Sequence, residues 1–154
     1  MRPIGILVLA IAGALSGCFL EWDHRDGTSG GSGGGGSGQA CNGACTCSGS
    51  DVCHFTCGTD DCTVTCSGSA VCTVDAGAGA VHVVCGGTAE CVVTPGPGAM
   101  DVTCGDESSC RVECGAGSCV GTCADSAHCD QSCGVGTCNQ ICGGSASCAC
   151  DGCG

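Results

Sequence analysis

Cysteines recur along this chain on a fixed ruler. Cys47, Cys66, Cys85, Cys104, Cys123 and Cys142 stand 19 residues apart, and so do Cys53, Cys72, Cys91, Cys110, Cys129 and Cys148. Five full repeats cover 47–141 without an insertion, and a partial sixth starts at Cys142. A period of this length with constant spacing is the mark of a stacked array of small units. Numbered from its first Cys, each repeat has Cys in columns 1 and 7 and Gly in column 12, namely Gly58, Gly77, Gly96, Gly115 and Gly134. Columns 7 to 11 read CHFTC, CTVDA, CVVTP, CRVEC and CDQSC. Column 16 to the next column 1 reads CTVTC, VHVVC, MDVTC, CVGTC and CNQIC. Both are alternating segments with Cys or an apolar residue at most ends and usually Val or Phe in the middle, which is the period-two pattern of a strand. Turns rich in Gly, Ser and Asp separate them. Two short strands and two turns every 19 residues predict an all-β fold, a small disulfide-rich β-solenoid whose equivalent positions stack about 4.8 Å apart. An insertion in a strand would turn its inward set outward, so stacking demands the constant spacing.

Something other than large apolar side chains must hold such coils together. The 154 residues include 23 Cys, 31 Gly and only 3 aromatics, and with Phe19 and Trp22 ahead of the repeats, Phe55 is the one aromatic residue of the body. Cross-links are the available substitute for a bulky core. In repeats two and three, column 11 becomes Ala76 and Pro95 while column 16 becomes Val81 and Met100, so both Cys are lost together. Partners in a bond disappear as a pair, which joins column 11 to column 16 and leaves column 1 to column 7. The predicted disulfides are Cys47–Cys53, Cys66–Cys72, Cys85–Cys91, Cys104–Cys110, Cys123–Cys129 and Cys142–Cys148, with Cys57–Cys62, Cys114–Cys119 and Cys133–Cys138. Cys41 and Cys45, and Cys150 and Cys153, fall outside the main columns and are read as end clips. The other connectivity, neighbouring coils joined at equal columns, directs in-register side chains poorly for a χ3 near about 90°. A competing use of the thiols is metal. C-x-C occurs only at Cys45-Thr46-Cys47 and Cys148-Ala149-Cys150, C-x2-C only at Cys150 to Cys153, and the wider spacings also permit zinc. Val at fixed columns and the absence of a recurring His favour disulfides, so no metal ligand and no cofactor is assigned. A Cys-thiolate metal-binding protein stays as the alternative.

The first residues form an address. Met1-Arg2-Pro3 is a basic start, Ile4 to Leu15 an apolar run, and Ser16-Gly17 a small pair before Cys18. This reads as a secretory signal peptide over 1–17, its apolar run too short to span a bilayer. Leu15-Ser16-Gly17-Cys18 resembles the lipobox of bacterial lipoproteins. That resemblance implies a diacylglycerol thioether on Cys18, cleavage before it, N-acylation, and a lipid bilayer as partner. Phe19, where an Asp resembles an inner-membrane retention signal, implies the outer membrane. Cys18 also accounts for the odd Cys count. Residues 18–38 then make a tether, Thr28 to Gly38 reading TSGGSGGGGSG, a composition that behaves as random coil with a reach of roughly 25 Å. Trp22 beside such an anchor suits the membrane interface better than a site with His24 and Arg25. Residues 39–154 form the repeat domain.

Charge narrows the partners. The chain has no Lys, and three Arg against 15 acidic residues give a net charge of −12; neither nucleic acid nor an anionic membrane surface suits that balance. No two of His24, His54, His82 and His128 share a column, and no nucleophile with a base is recognisable, so no catalytic residue is assigned and an enzyme is not expected. The half-unit from Gly115 is similar to the calcium-binding nonapeptide of parallel β-rolls, but Cys replaces its Asp. The acidic turn residues Asp51, Asp60, Asp61, Glu90, Asp106, Glu107 and Asp125 spread over six columns, which builds no carboxylate ladder. Thr63-Val64-Thr65 resembles the T-x-T of insect antifreeze solenoids, in one coil of five, so ice binding is a lesser alternative. The expectation is a lipid-anchored outer-membrane protein presenting a rigid acidic scaffold, with a structural or protein-interaction role in the cell envelope and an unidentified protein partner.

Overall fold

The computed structural model describes residues 38–153. The expected leader, Cys18 and the tether up to residue 37 lie outside the described residues. Eleven strands follow one another with no helix between them: β1 (Gln39–Cys47), β2 (Val52–Cys66), β3 (Val71–Asp75), β4 (Val81–Cys85), β5 (Glu90–Thr94), β6 (Met100–Cys104), β7 (Ser109–Glu113), β8 (Cys119–Cys123), β9 (His128–Ser132), β10 (Cys138–Cys142) and β11 (Ser147–Asp151). All pair in parallel with the strand one coil away. One wall runs β2, β3, β5, β7, β9, β11 and the other β2, β4, β6, β8, β10. From β2 onward the register is kept at 19 residues, as in Val64↔Val83↔Val102 and Cys72↔Cys91↔Cys110. This is the expected β-solenoid.

Alternation does the sorting. In β3, Cys72 and Val74 are buried between half-exposed neighbours, and in β4 Val81, Val83 and Cys85 are buried. The interior is correspondingly built of Cys, Val and Ala, with Phe55 and Met100 as its larger members. Column 5, which strand periodicity does not single out, supplies a further inward row: Ala70, Ala89 and Ala127 are fully buried, and so is Ser108, whose hydroxyl donates to the carbonyls of Gly105 (2.7 Å) and Cys85 (3.3 Å).

The corners are also bonded coil to coil. Ser67, Gly86, Gly105, Ala124 and Gly143 each donate their amide to the column 1 carbonyl of the coil before, at 2.8–3.0 Å. Column 3 holds left-handed backbone in every coil: Gly49, Gly68, Gly87 and Gly144 at φ 65–74°, and Asp106 and Asp125 at 55° and 57°. Asp is one of the few side chains that tolerates this region. At the other corner, columns 12 and 14 leave no room for a side chain from Gly77 to Gly136. A Cβ on Gly98 would overlap the carbonyl oxygen of Gly79, and one on Gly117 that of Gly98.

Two places depart from the sequence reading. Residues 39–46 do not fall outside the columns. β1 is a further coil, with Cys41 beside Cys57 and, after a register shift, Gly43 beside Cys62. Asn42 alone spans the corner that β2 crosses with Gly58 to Asp61, so the coil is three residues short there and its spacing is hidden from the 19-residue ruler. Paired with β1 on both walls, β2 is also one continuous strand around that corner rather than two short ones. On the other wall, Pro95 lacks the amide that Ala76, Cys114 and Cys133 donate from the same column, and the β5–β7 pairing stops at Val93↔Val112.

Late in the array, Gly121 replaces Val in column 18 and Gln131 replaces Val in column 9. The two substitutions fit each other: Gln131 is buried, and a Cβ on Gly121 would overlap its Oε1. Gln131 Nε2 donates to the Cys138 sulfur at 3.0 Å, whereas Oε1 has no partner. Gly121→Val is therefore expected to cost about 1–3 kcal/mol by overpacking. In a Gln131→Val background, which removes the orphaned oxygen and restores the Val column, the same change is expected to cost nothing. Denaturant unfolding of the four oxidised proteins measures the coupling, and equal costs in both backgrounds would contradict this packing.

Candidate functional site

Disulfides are the dominant chemistry of the described residues. Columns 1 and 7 are joined in every coil: Cys47–Cys53, Cys66–Cys72, Cys85–Cys91, Cys104–Cys110, Cys123–Cys129 and Cys142–Cys148. Columns 11 and 16 are joined wherever both are Cys, as Cys57–Cys62, Cys114–Cys119 and Cys133–Cys138. Each bond closes one corner of one coil. The end clips differ in geometry from the rest. Cys41 lies in column 11 but bonds Cys45, which aligns with Val64 of column 18, because Gly43 takes the column 16 place. Cys150 aligns with Gln131 of column 9 and bonds Cys153 across a turn whose Gly152 is left-handed at φ 80°.

That last clip lies over Cys133. The sulfur of Cys133 is 3.4 Å from that of Cys153 and 3.7 Å from that of Cys150, and the sulfurs of Cys133, Cys138, Cys150 and Cys153 all lie within 4.8 Å of one another. Three other sulfur groups occur among the described residues, each of three Cys: Cys66, Cys72 and Cys91; Cys85, Cys91 and Cys110; and Cys114, Cys119 and Cys138. The first two groups are wholly buried, while in the four-Cys group three members are half-buried and Cys153 is exposed. Spacing along the chain does not reveal this grouping. It follows only when Cys150 and Cys153 are placed on columns 9 and 12 of the partial repeat, one coil above Gln131 and Gly134.

Two histidines pair with carboxylates one coil away. His54 Nε2 is 2.7 Å from Asp75 Oδ2, and Thr94 donates its hydroxyl to Asp75 Oδ1 at 2.9 Å. These interactions, the His54 hydrogen bond first, hold the Asp75 carboxyl below its ordinary value. His82 Nδ1 lies 3.4 Å from Asp101 Oδ2. Both pairs are exposed on the outer surface of the walls. Across that surface, the row Thr63, His82, Asp101, Val120 and Asn139 changes character at each coil.

Acidic side chains meet at the column 3 corner, where Gly87, Thr88, Asp106, Glu107, Asp125 and Ser126 line a surface hollow of about 360 Å³. Asp106 and Asp125 occupy the same column in successive coils. Asp106 Oδ2 accepts from the Gly87 amide at 2.8 Å, and Asp125 Oδ2 from the Asp106 amide at 3.3 Å. Each carboxylate thus ties its own turn to the coil before. Lipidation at Cys18 lies outside the described residues. No protein-family model, curated protein or solved structure matches this chain.

Proposed function

We propose that the chain is a lipid-anchored protein of the bacterial cell envelope, presenting its disulfide-stapled solenoid as a rigid acidic spacer or interaction surface. The observation that carries this reading is the combination of a leader ending in Leu15-Ser16-Gly17-Cys18 with a body in which no outward strand row keeps one side chain at every coil. A solenoid that binds a periodic ligand presents the same side chain at every step. Here the residues kept through the five full repeats are the column 1 and column 7 sulfurs and the column 12 Gly, which keep the coils closed and stacked. From Cys47 to Asp151 the coils stack over about 25 Å at 4.8 Å per step, and the Gly/Ser-rich stretch would hold them off the bilayer. Several acyl chains on Cys18, at about 0.8 kcal/mol per buried CH₂, suffice for anchoring without a transmembrane helix. Export also supplies the oxidising compartment in which eleven disulfides persist.

The anchor is tested by the mass of the amino-terminal peptide and by fractionation. Acyl mass on Cys18, globomycin-sensitive processing and release of a Cys18→Ala protein from the membrane fraction are expected. A Cys18→Ala protein that stays in the membrane would overturn the anchor.

A further inference from the structure

We propose that Cys133, Cys138, Cys150 and Cys153 form a second, reduced state of the solenoid end: a tetrathiolate site for one thiophilic ion of the zinc class, opened by an external dithiol. The inference stands apart from the envelope reading, since it concerns sulfur chemistry at one end of the array and holds with or without the lipid anchor.

The geometry favours it over every other sulfur group of the described residues. A tetrahedral Zn(II) site with Zn–S bonds of about 2.3 Å places its sulfurs about 3.8 Å apart. The contacts Cys133–Cys153 and Cys133–Cys150 already measure 3.4 and 3.7 Å, and all six separations are under 4.8 Å. Only the two bonded pairs have to open. The ligands arrive as C-x4-C and C-x2-C, spacings that structural zinc sites use. The C-x2-C turn is Asp151-Gly152, and a Cβ at Gly152 would lie 3.4 Å from that of Cys133, so the turn is seated over the opposing ligand. Gln131 Nε2, 3.0 Å from the Cys138 sulfur, supplies an N–H donor that supports a thiolate there. Elsewhere three sulfurs meet without a fourth.

Access separates this end from the body. Exchange needs a thiolate to reach a disulfide sulfur. The column 1 and column 7 sulfurs of the central coils, such as Cys85, Cys91, Cys104 and Cys110, are at most 1% exposed, whereas Cys153 is open. The balance is complete with the dithiol named. Two dithiol molecules each lose two electrons and two protons and close to cyclic disulfides. The Cys133–Cys138 and Cys150–Cys153 bonds each take up two of those electrons and two protons and break into thiols. Binding of one divalent ion then forms four metal–sulfur bonds and releases four protons to solvent.

The test treats the full chain with dithiol until four thiols per molecule have formed, removes the reductant anaerobically and titrates with Co(II), then Zn(II). One cobalt per chain, with the visible absorption of a tetrahedral tetrathiolate and displaced by one zinc, is expected. Alkylation mapping should place the four thiols at these positions and show them protected by zinc. Cys150→Ser and Cys153→Ser should each abolish that absorption and weaken metal binding at least tenfold, while circular dichroism of the sheet is kept. Thiols that map to the central coils, metal bound without the tetrathiolate spectrum, or undiminished binding in either variant would overturn the proposal. The zinc protection measurement on the unsubstituted chain decides the matter if a variant fails to fold; unprotected Cys133, Cys138, Cys150 and Cys153 would then contradict the site.

Discussion

Complete reduction is expected to unfold the solenoid, with loss of the β-sheet circular dichroism at room temperature and recovery on reoxidation. Corner loops here close over three to six residues of separation, and in the chain-entropy account each is worth about 2 kcal/mol. Eleven such bonds amount to roughly 20 kcal/mol, more than the 5–15 kcal/mol net stability of a typical domain. The apolar interior does not replace them, because Phe55 and Met100 are its only large side chains beyond Val, and most of its other members are the Cys themselves. Each bonded pair is also the packing unit of its corner, so reduction exchanges a compact cystine for two thiols in the same space. The dependence should be graded. The four-sulfur end, more open than the central coils, is expected to reduce first without collapse of the sheet, and the central coils to follow together. A fully reduced chain that keeps its sheet signal and melts cooperatively would show that stacking alone sustains the coils.

Gly98→Ala is expected to destabilise the oxidised chain by more than about 3 kcal/mol, above the usual range for overpacking. The added Cβ would overlap the Gly79 carbonyl oxygen and crowd that of Ala78. Those atoms are main chain, in residues whose amides donate to the Gly58 carbonyl of the coil before at 2.9 and 3.3 Å, so relief requires the two coils to move apart against both walls. Gly143→Ala is the matched control. It makes the same chemical change at the opposite corner, where the nearest atom to the new Cβ is the Cys123 carbonyl oxygen at 4.0 Å. There the restricted unfolded chain should leave stability unchanged or raise it by about 0.4–1 kcal/mol. Thermal or denaturant unfolding distinguishes the two positions, and equal effects would contradict the close stacking at column 14.

The fold was legible because the information is periodic. Constant spacing of Cys47, Cys66 and their successors gives the coil length, and alternation around Val74, Val83 and Val93 gives the inward face. Column 12 glycine marked a corner, though its reason, the carbonyl of the coil below, is visible only with coils stacked. What stayed hidden is what breaks the period. Asn42 shortens a corner by three residues, so Cys41 stands 16 residues rather than 19 before Cys57 and falls off the ruler although β1 stacks on β2. Gln131 and Gly121 look like separate lapses from the Val pattern, yet they are one volume exchange across the core. In the sequence Asp106 and Asp125 look like two of several scattered turn acids. They occupy the column where other coils use left-handed Gly, and there each carboxylate accepts a main-chain amide. The four sulfurs around Cys133 escape for a different reason: Cys150 and Cys153 keep the period, but their meeting with Cys133 and Cys138 depends on contact between adjacent coils, which spacing along the chain does not report.

The central claim is that each coil is closed by its own bonds, so that the array is a stack of separately stapled turns. Peptide mapping of the unreduced protein tests it most directly. The account predicts that every cysteine from Cys41 to Cys153 is oxidised, that reduction adds 22 hydrogens to these residues, and that each bond links Cys three to six residues apart, Cys85 to Cys91 and Cys104 to Cys110 among them. Free thiols in the central coils, or bonds between equal columns of adjacent coils such as Cys85 to Cys104, would contradict it.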